Sequence, residues 1–378
     1  MTINHFDTLV IGGGQAGLAA GYHLSRRAAD FLIVDANPTI GAVWHNRWDS
    51  LRLFTPAQYD GLPGMAFPAA HDIYPGKDAV ADYLRSYADR FALPIRLSTP
   101  VTRLSHDGQL FHAAIPDGTI SARSVIVATG PFQIPSVPTL AADLATEVVQ
   151  LHSADYRNPV DLPHGPTLVV GGGNSGFQIA EELAATRDVV MSIGKRVPAL
   201  PQRPLGRDIF WWLDRIGFSR ITMGSRLGRR LSTKDALIGV SRRRLQRAGA
   251  VIRPRLIAAD GPDVVFSDDT RFVPSVVVWS TGYRRDYSWI DVSGALDGGA
   301  LPIHRRGISS TPGLGYVGLP WQHTRGSALL GGVGRDVEYV VARINDLSVS
   351  GPIHATQSQI SDTPRDASDH QSRQGANQ

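Results

Sequence analysis

The chain has 378 residues, 42% of them apolar, and a formal charge of +4, which allows one large core or two ordinary ones, two being the usual outcome at this length. It contains no cysteine, which excludes disulfide scaffolds, thiolate metal sites, cysteine nucleophiles and dithiol redox couples, so redox chemistry requires a bound cofactor. Charge is uneven: Lys195 to Arg255 holds 16 basic and 3 acidic residues, +13 net, leaving −9 for the rest, and an anionic partner is expected at that segment.

Taken in chain order, Phe6 to Ile11 predicts an apolar strand. Gly12-Gly13-Gly14-Gln15-Ala16-Gly17 follows, then a helical stretch to Arg27 and a strand from Phe31 to Val34 closed by Asp35. Gly12, Gly14 and Gly17 have the spacing of a dinucleotide-binding turn. The first permits a tight turn, the second lets backbone approach a pyrophosphate, and the third lets helix and strand pack closely. The pyrophosphate then rests on free N–H groups where the helix opens, at Gln15 and Ala16. Asp35 lies 23 residues after Gly12, where a carboxylate accepts from ribose hydroxyls; FAD and NAD(H) both suit it.

Asp78 to Phe91 predicts a helix whose Val80, Tyr83, Leu84, Tyr87 and Phe91 share one face, a pattern of core packing. Strands are expected near Ile95 to Leu104 and Gln109 to Ile115, then from Ser124 to a Thr129-Gly130 ending. The first grammar returns at Thr167 to Val170: Gly171-Gly172-Gly173-Asn174-Ser175-Gly176, a helix through Arg187, and a strand from Val189 to Ile193. Gly171, Gly173 and Gly176 repeat the turn, while Asn174 and Ser175 open the helix, Ser175 as a donor to pyrophosphate. No acid closes this strand. Lys195 and Arg196 stand where an adenosine 2′-phosphate would lie, which favours NADPH over NADH.

In the loop that follows, Arg203 and Arg207 are further cations for nucleotide phosphates or for solvent. Ile209, Trp212, Leu213 and Ile216 predict one helical face, with Phe210 and Trp211 off it, suited to core contacts, a substrate passage or a membrane surface. Ser275 to Ser280 is a second buried strand ending in Thr-Gly, at Thr281-Gly282. Together with two nucleotide units, these endings point to crossings between two domains. Gly331 to Gly334 opens a helix with Val337, Val340, Val341 and Ile344 on one face. No metal-ligand spacing and no Ser-His-Asp order emerges, and no nucleic-acid motif accompanies the basic charge. Without an apolar run of about 18 residues or a leader-like start, a cytoplasmic chain without stable membrane insertion is expected. Residues 351–378 are polar and expected to be disordered.

The ordered residues resemble class B flavoprotein monooxygenases, the superfamily of flavin-containing monooxygenases, YUCCA enzymes and bacterial CzcO-like flavoproteins. The resemblance spans about residues 5 to 346. It rests on both Gly-rich turns, Trp44 to Leu53, Leu62-Pro63-Gly64, the Thr-Gly strand ends, Gly313 to Leu319, and Arg325 to Asp336, which looks most like the CzcO-like branch. The family fingerprint FxGxxxHxxxY falls on Thr146 to Tyr156, with His152 and Tyr156 kept but Thr146 and Val148 at the Phe and Gly positions, which is similar to the CzcO-like and ArsO-like branch. The longer Baeyer-Villiger fingerprint is missing.

The resemblance implies an α/β fold of two dinucleotide-binding, Rossmann-like domains, with the NADPH domain (161–281) inserted in the FAD domain (1–160 and 282–350). It implies FAD and NADPH as cofactors, O2 and a small organic substrate as partners, and oxygen transfer through a C4a-(hydro)peroxyflavin; a homo-oligomer is compatible. It also implies that Trp44, Arg52, Val101, Thr129, Gly130 and Thr281 contact the cofactors, with Thr55 and Gln58 approaching the reactive face of the flavin. Gly332 would set a helix N-terminus against the flavin edge that is negative when reduced. His152 is expected to be structural and linked to NADPH rather than a catalytic base. Two alternatives stay open: an NADPH-driven flavin reductase or electron transferase, and a non-catalytic flavin-bearing sensor or regulatory subunit.

Overall fold

The computed structural model describes residues 4–195, 198–233 and 236–349; Arg196 and the polar tail lie outside the described residues. Two sheets organise the chain. In the first, Asn4–Ile11 runs parallel to Phe31–Val34 on one side and to Gly118–Val127 on the other. Ile95–Arg96 extends one flank and Leu314–Tyr316 the other, both parallel. Arg103–His106 and Phe111–Ile115 add an antiparallel meander on the long strand.

In the second sheet Thr167–Val170 lies between Val189–Ser192 and Val276–Trp279, with Val251–Arg253 and Val149–His152 at the edges, every pair parallel. Four of its strands, Val251–Arg253, Val189–Ser192, Thr167–Val170 and Val276–Trp279, repeat the order of Ile95–Arg96, Phe31–Val34, Asn4–Ile11 and Gly118–Val127. The fifth, Val149–His152, precedes them in the chain where Leu314–Tyr316 follows, and the second sheet's residues are inserted in sequence between strands of the first. The α/β class with Rossmann-like units is thus observed. All four residues are buried in Phe31–Val34, Thr167–Val170, Val189–Ser192 and Val276–Trp279, the continuous apolar run that a parallel sheet covered on both faces requires.

On one face of the first sheet lie the helices Gln15–Ser25, Lys77–Arg90 and Val333–Val349. Val80, Tyr83, Leu84 and Tyr87 of the second, and Val337, Val340, Val341 and Ile344 of the third, are buried in one cluster with Leu18 and Leu24 of the first. The expected faces are therefore the packed ones, and each such side chain contributes about 1.5–3 kcal/mol by leaving water.

Three expectations are corrected. Val149–His152, expected in the first domain ahead of residue 160, is an edge strand of the second sheet. The single strand near Ile95 to Leu104 is two, joined to different neighbours; Pro100 between them offers no N–H to a ladder. Ile216 is 70% exposed rather than on the buried face with Ile209, because the helix stops at Arg215 and Gly217, at φ +73°, turns the chain away.

The chain passes between the sheets at 128–136 and 280–284, and the two passages are tied together. Ile134–Pro135 pairs antiparallel with Tyr283–Arg284, and the Ser136 N–H donates to the Gly282 carbonyl at 2.9 Å.

Candidate functional site

The glycines of the two turns divide by what surrounds them. Gly12 has φ +112°, and a Cβ there would stand 2.6 Å from the Ala128 carbonyl oxygen; at Gly171, φ +127°, it would stand 2.1 Å from the Ser280 carbonyl oxygen. Each first glycine therefore lets its turn pass against the end of a Thr-Gly strand, which is why the two signals occur together. At Gly17 and Gly176 a Cβ would come within 1.8 and 2.2 Å of the carbonyl oxygens of Gly12 and Gly171, so the third glycine closes helix onto turn.

Gly14 and Gly173 are different: a Cβ at either meets nothing within 4 Å. Each caps a helix, Gln15–Ser25 or Asn174–Leu183, with no side-chain bond to the helix N–H groups. Helix ends with free N–H groups and open space beside a glycine suit an anion. Asp35 stands at the first turn, its Oδ2 accepting from the Gly13 N–H at 2.5 Å and its Oδ1 from the Asn37 N–H at 2.7 Å. At the second, Asn174 Oδ1 is buried without a partner, Ser175 follows it, and Lys195 is exposed at the end of the next strand. The residues present fit a dinucleotide at each turn.

The passages between the sheets gather further groups. Gln133 Nε2 donates to Thr129 Oγ1 at 3.0 Å and to the Gly130 carbonyl at 2.9 Å, and the Thr281 hydroxyl donates to the Ser136 carbonyl. His152 Nδ1 accepts from the Ala154 N–H at 3.1 Å, which assigns the ring proton to Nε2, the donor to the Gly282 carbonyl at 3.0 Å. Burial lowers the His152 pKa against the pull of that carbonyl, consistent with a neutral strut. Arg47 sits over the rings of Phe132 and Tyr283, 5.3 and 5.4 Å from their centroids, and donates to the Tyr283 hydroxyl at 2.5 Å. One guanidinium thus holds both passages.

A cavity of about 350 Å³ opens between the two units. Thr55, Tyr59, His323, Leu329, Gly331 and Gly332 line it from one side, and Phe210, Leu213, Phe218 and Arg220 from the other. Phe210 stacks on Phe54 at 6.0 Å and 12°, so the aromatic left off the helical face by periodicity is a cavity wall. Trp211 instead lies under Arg207 and Arg215. Gly331 and Gly332 are pressed into the start of the last helix, where a Cβ would stand 1.7 Å from the Tyr59 carbonyl oxygen and 2.3 Å from the Gly326 carbonyl oxygen respectively.

The remaining candidates separate. Thr55 is in the cavity wall, whereas Gln58 is exposed and not part of it; its side chain bonds to the Tyr59 hydroxyl. Trp44 packs against the cores of both units. Arg52 donates to the Tyr74 carbonyl at 3.3 Å, while its own carbonyl accepts from Gln178 of the second unit. Val101 packs against the outer core of the first sheet. Arg203 is engaged across the cleft, donating to the Tyr74 hydroxyl and the Asp72 carbonyl, each at 3.1 Å.

Three residues escaped the sequence reading. Arg47 became visible only once the passages met. Asp208 caps the helix Ile209–Arg215 and accepts from Tyr74 across the cleft at 2.7 Å; an aspartate just before an apolar-periodic run was its available signal. Asp60 lies buried behind Thr55, accepting its hydroxyl at 2.5 Å, and a Tyr-Asp-Gly sequence reads only as a turn. Among the described residues no group of three or more His, Asp or Glu is arranged to hold a metal, and no helix is long and apolar enough to cross a membrane.

Residues 9–203 match the family model described as pyridine nucleotide-disulphide oxidoreductase. The chain is 44% identical over 343 residues to an oxidoreductase of Geobacillus kaustophilus named CzcO-like, covering 90% of this chain and 98% of that one. It is 28% identical over 330 residues to the indole-3-pyruvate monooxygenase YUCCA8 of Oryza sativa, with 76% and 78% covered. A flavin-containing monooxygenase from Stenotrophomonas maltophilia matches in structure with a TM-score of 0.76 at 28% identity, over 91% of this chain and 99% of that one.

Proposed function

The chain belongs to the pyridine nucleotide-disulphide oxidoreductase family, within the class B flavoprotein monooxygenase superfamily, and from that premise we propose that it is an NADPH-dependent FAD monooxygenase acting on a small organic substrate. It is an oxidoreductase, and with no cysteine it has no dithiol couple of its own. Bound FAD and NADPH would supply hydride transfer and the activation of O2, from which one oxygen atom reaches the substrate and the other leaves as water.

The observation that carries the reading is the pair of bare helix starts at Gly14 and Gly173, with space the protein's own packing leaves free. The turn at Gly12 to Gly17, with Asp35 at the strand end, would hold FAD. The turn at Gly171 to Gly176 would hold NADPH, with Lys195 and Arg196 for the 2′-phosphate. Arg47, His152 and the paired passages orient the two units toward each other. The apolar wall of Phe210, Leu213 and Phe218 would exclude water from the cavity where substrate and O2 meet, which strengthens polar interactions there.

Stopped-flow absorbance tests this directly: FAD-loaded protein is reduced anaerobically by NADPH and mixed with oxygenated buffer. A transient flavin species distinct from both oxidised and reduced cofactor, lengthened in life by NADP, is expected. Direct reoxidation without it would favour a flavin reductase or electron transferase, failure of NADPH to reduce bound FAD would favour a sensor, and a protein that refuses FAD would sink the reading.

A further inference from the structure

Asp60 is 1% exposed. Its Oδ1 accepts the Thr55 hydroxyl at 2.5 Å, and its Oδ2 is buried with no hydrogen-bond partner. Leaving a buried carboxyl oxygen unsatisfied is costly, most of all when the group is charged. Thr55 is itself 7% exposed yet forms part of the cavity wall, so the residue bonded to the buried acid also borders the cavity. A hydroxyl can donate one hydrogen bond while accepting others, and reverses its direction by a rotation.

Among the described residues no cation forms an ion pair with Asp60, although Arg220, Arg306, Arg325 and Arg335 line the cavity beyond Thr55. On the helix Lys77–Arg90, Tyr83 feels the Asp60 charge, but its hydroxyl already accepts from the Leu62 N–H and donates to the Met65 carbonyl. On the last helix Asp336 is paired with Arg306, and Arg335 lies at the cavity wall. The Tyr59 hydroxyl, on the same loop as Asp60, is bonded to Gln58.

We propose that Asp60 exchanges a proton with the cavity through the Thr55 hydroxyl, so that Thr55 presents a donor to the cavity while Asp60 is protonated and an acceptor once Asp60 is ionised. In the forward direction the Asp60 O–H bond breaks as its proton passes to Thr55 Oγ1. The former Thr55 proton passes to an acceptor in the cavity, and a carboxylate remains. One proton moves and no electrons do; the reverse transfer restores both groups. The proposal rests on the oxygenase reading for its purpose, because reducing O2 to one inserted oxygen and one water with NADPH consumes one proton per turnover. Burial, opposed by the Thr55 hydrogen bond, pushes Asp60 up to about 7, so the exchange falls in the neutral range. Thr55 donates into the cavity below that pH and accepts above it.

The test uses the FAD-loaded full-length protein with Asp60→Asn, Thr55→Val and Thr55→Ser. Infrared difference spectra taken across neutral pH should show a protonated-carboxyl band lost as pH rises in the wild type and absent in Asp60→Asn. Its midpoint should move to higher pH in Thr55→Val, where the bond favouring the carboxylate is gone, and move less in Thr55→Ser. The reoxidation rate of NADPH-reduced flavin should show an inflection at the wild-type midpoint that Thr55→Val abolishes and Thr55→Ser retains. The absence of a carboxyl titrating near neutrality, or an inflection that survives in Thr55→Val, would overturn the exchange. If Asp60→Asn fails to fold, the Thr55 pair carries both readouts. A flavin that NADPH cannot reduce, beside a band that titrates and shifts as expected, overturns the oxygenase reading and leaves the exchange standing.

Discussion

At Gly14 the backbone has φ −78°, which alanine adopts freely, and a Cβ meets nothing within 4 Å. Gly14→Ala should therefore change the stability of the apoprotein by no more than about 0.5 kcal/mol, while lowering FAD affinity about tenfold or more, or about 1.4 kcal/mol, because the methyl group occupies space assigned to the pyrophosphate. Gly173→Ala should do the same to NADPH and leave FAD in place. Gly17→Ala is the contrasting case: its Cβ would lie 1.8 Å from the Gly12 carbonyl oxygen, so the apoprotein itself should melt at lower temperature. Thermal melts of apoprotein paired with cofactor titrations separate the two behaviours. Wild-type FAD affinity in Gly14→Ala would remove the pyrophosphate from that turn. These glycines were legible in sequence because their spacing encodes a backbone path. Asp60 was not, since its character comes from what buries it and from a hydroxyl five positions away whose direction only the folded loop fixes.

Elements were legible in proportion to how far both faces are buried. Thr167–Val170 and Val276–Trp279 announce themselves as apolar runs because each face of a central parallel strand is covered. The edge strand Val149–His152, in which Val149 and Gln150 are exposed and only His152 is buried, carries no such run, and no strand is expected there from the sequence. The passages at 128–136 and 280–284 were anticipated from their Thr-Gly starts, but not their coupling. That coupling is testable at Arg47, whose contacts with Phe132 and Tyr283 join the two passages. Removing a half-buried cation–π pair costs about 1–2 kcal/mol. Arg47→Ala should retain FAD, slow flavin reduction by NADPH about tenfold, and speed hydrogen exchange in both passages. Tyr283→Phe, which keeps the ring and loses the hydroxyl, should fall between Arg47→Ala and the wild type. Unchanged reduction in Arg47→Ala would mean that the passages are held by their strand pairing and the His152 bond alone.

Over the whole molecule the charge is segregated: +13 between Lys195 and Arg255 against −9 elsewhere. Of the segment's three acids, Asp208 caps a helix and accepts from Tyr74, Asp214 accepts from Ser219, and Asp235 lies outside the described residues. A surface of one sign draws an oppositely charged ligand over distances comparable to the Debye length, about 10 Å at 0.1 M salt. NADPH carries a 2′-phosphate that NADH lacks, so its capture should depend more steeply on salt. We expect kcat/KM for NADPH to fall with ionic strength faster than kcat/KM for NADH. Lys195→Ala should narrow the NADPH to NADH preference about tenfold, or about 1.4 kcal/mol, while leaving kcat and FAD content unchanged, because Lys195 is exposed at a strand end. Steady-state oxidation of both nucleotides over a salt series checks this. Parallel salt curves for the two, with an unchanged preference in Lys195→Ala, would detach the basic segment from nucleotide choice and assign its charge to some other anion.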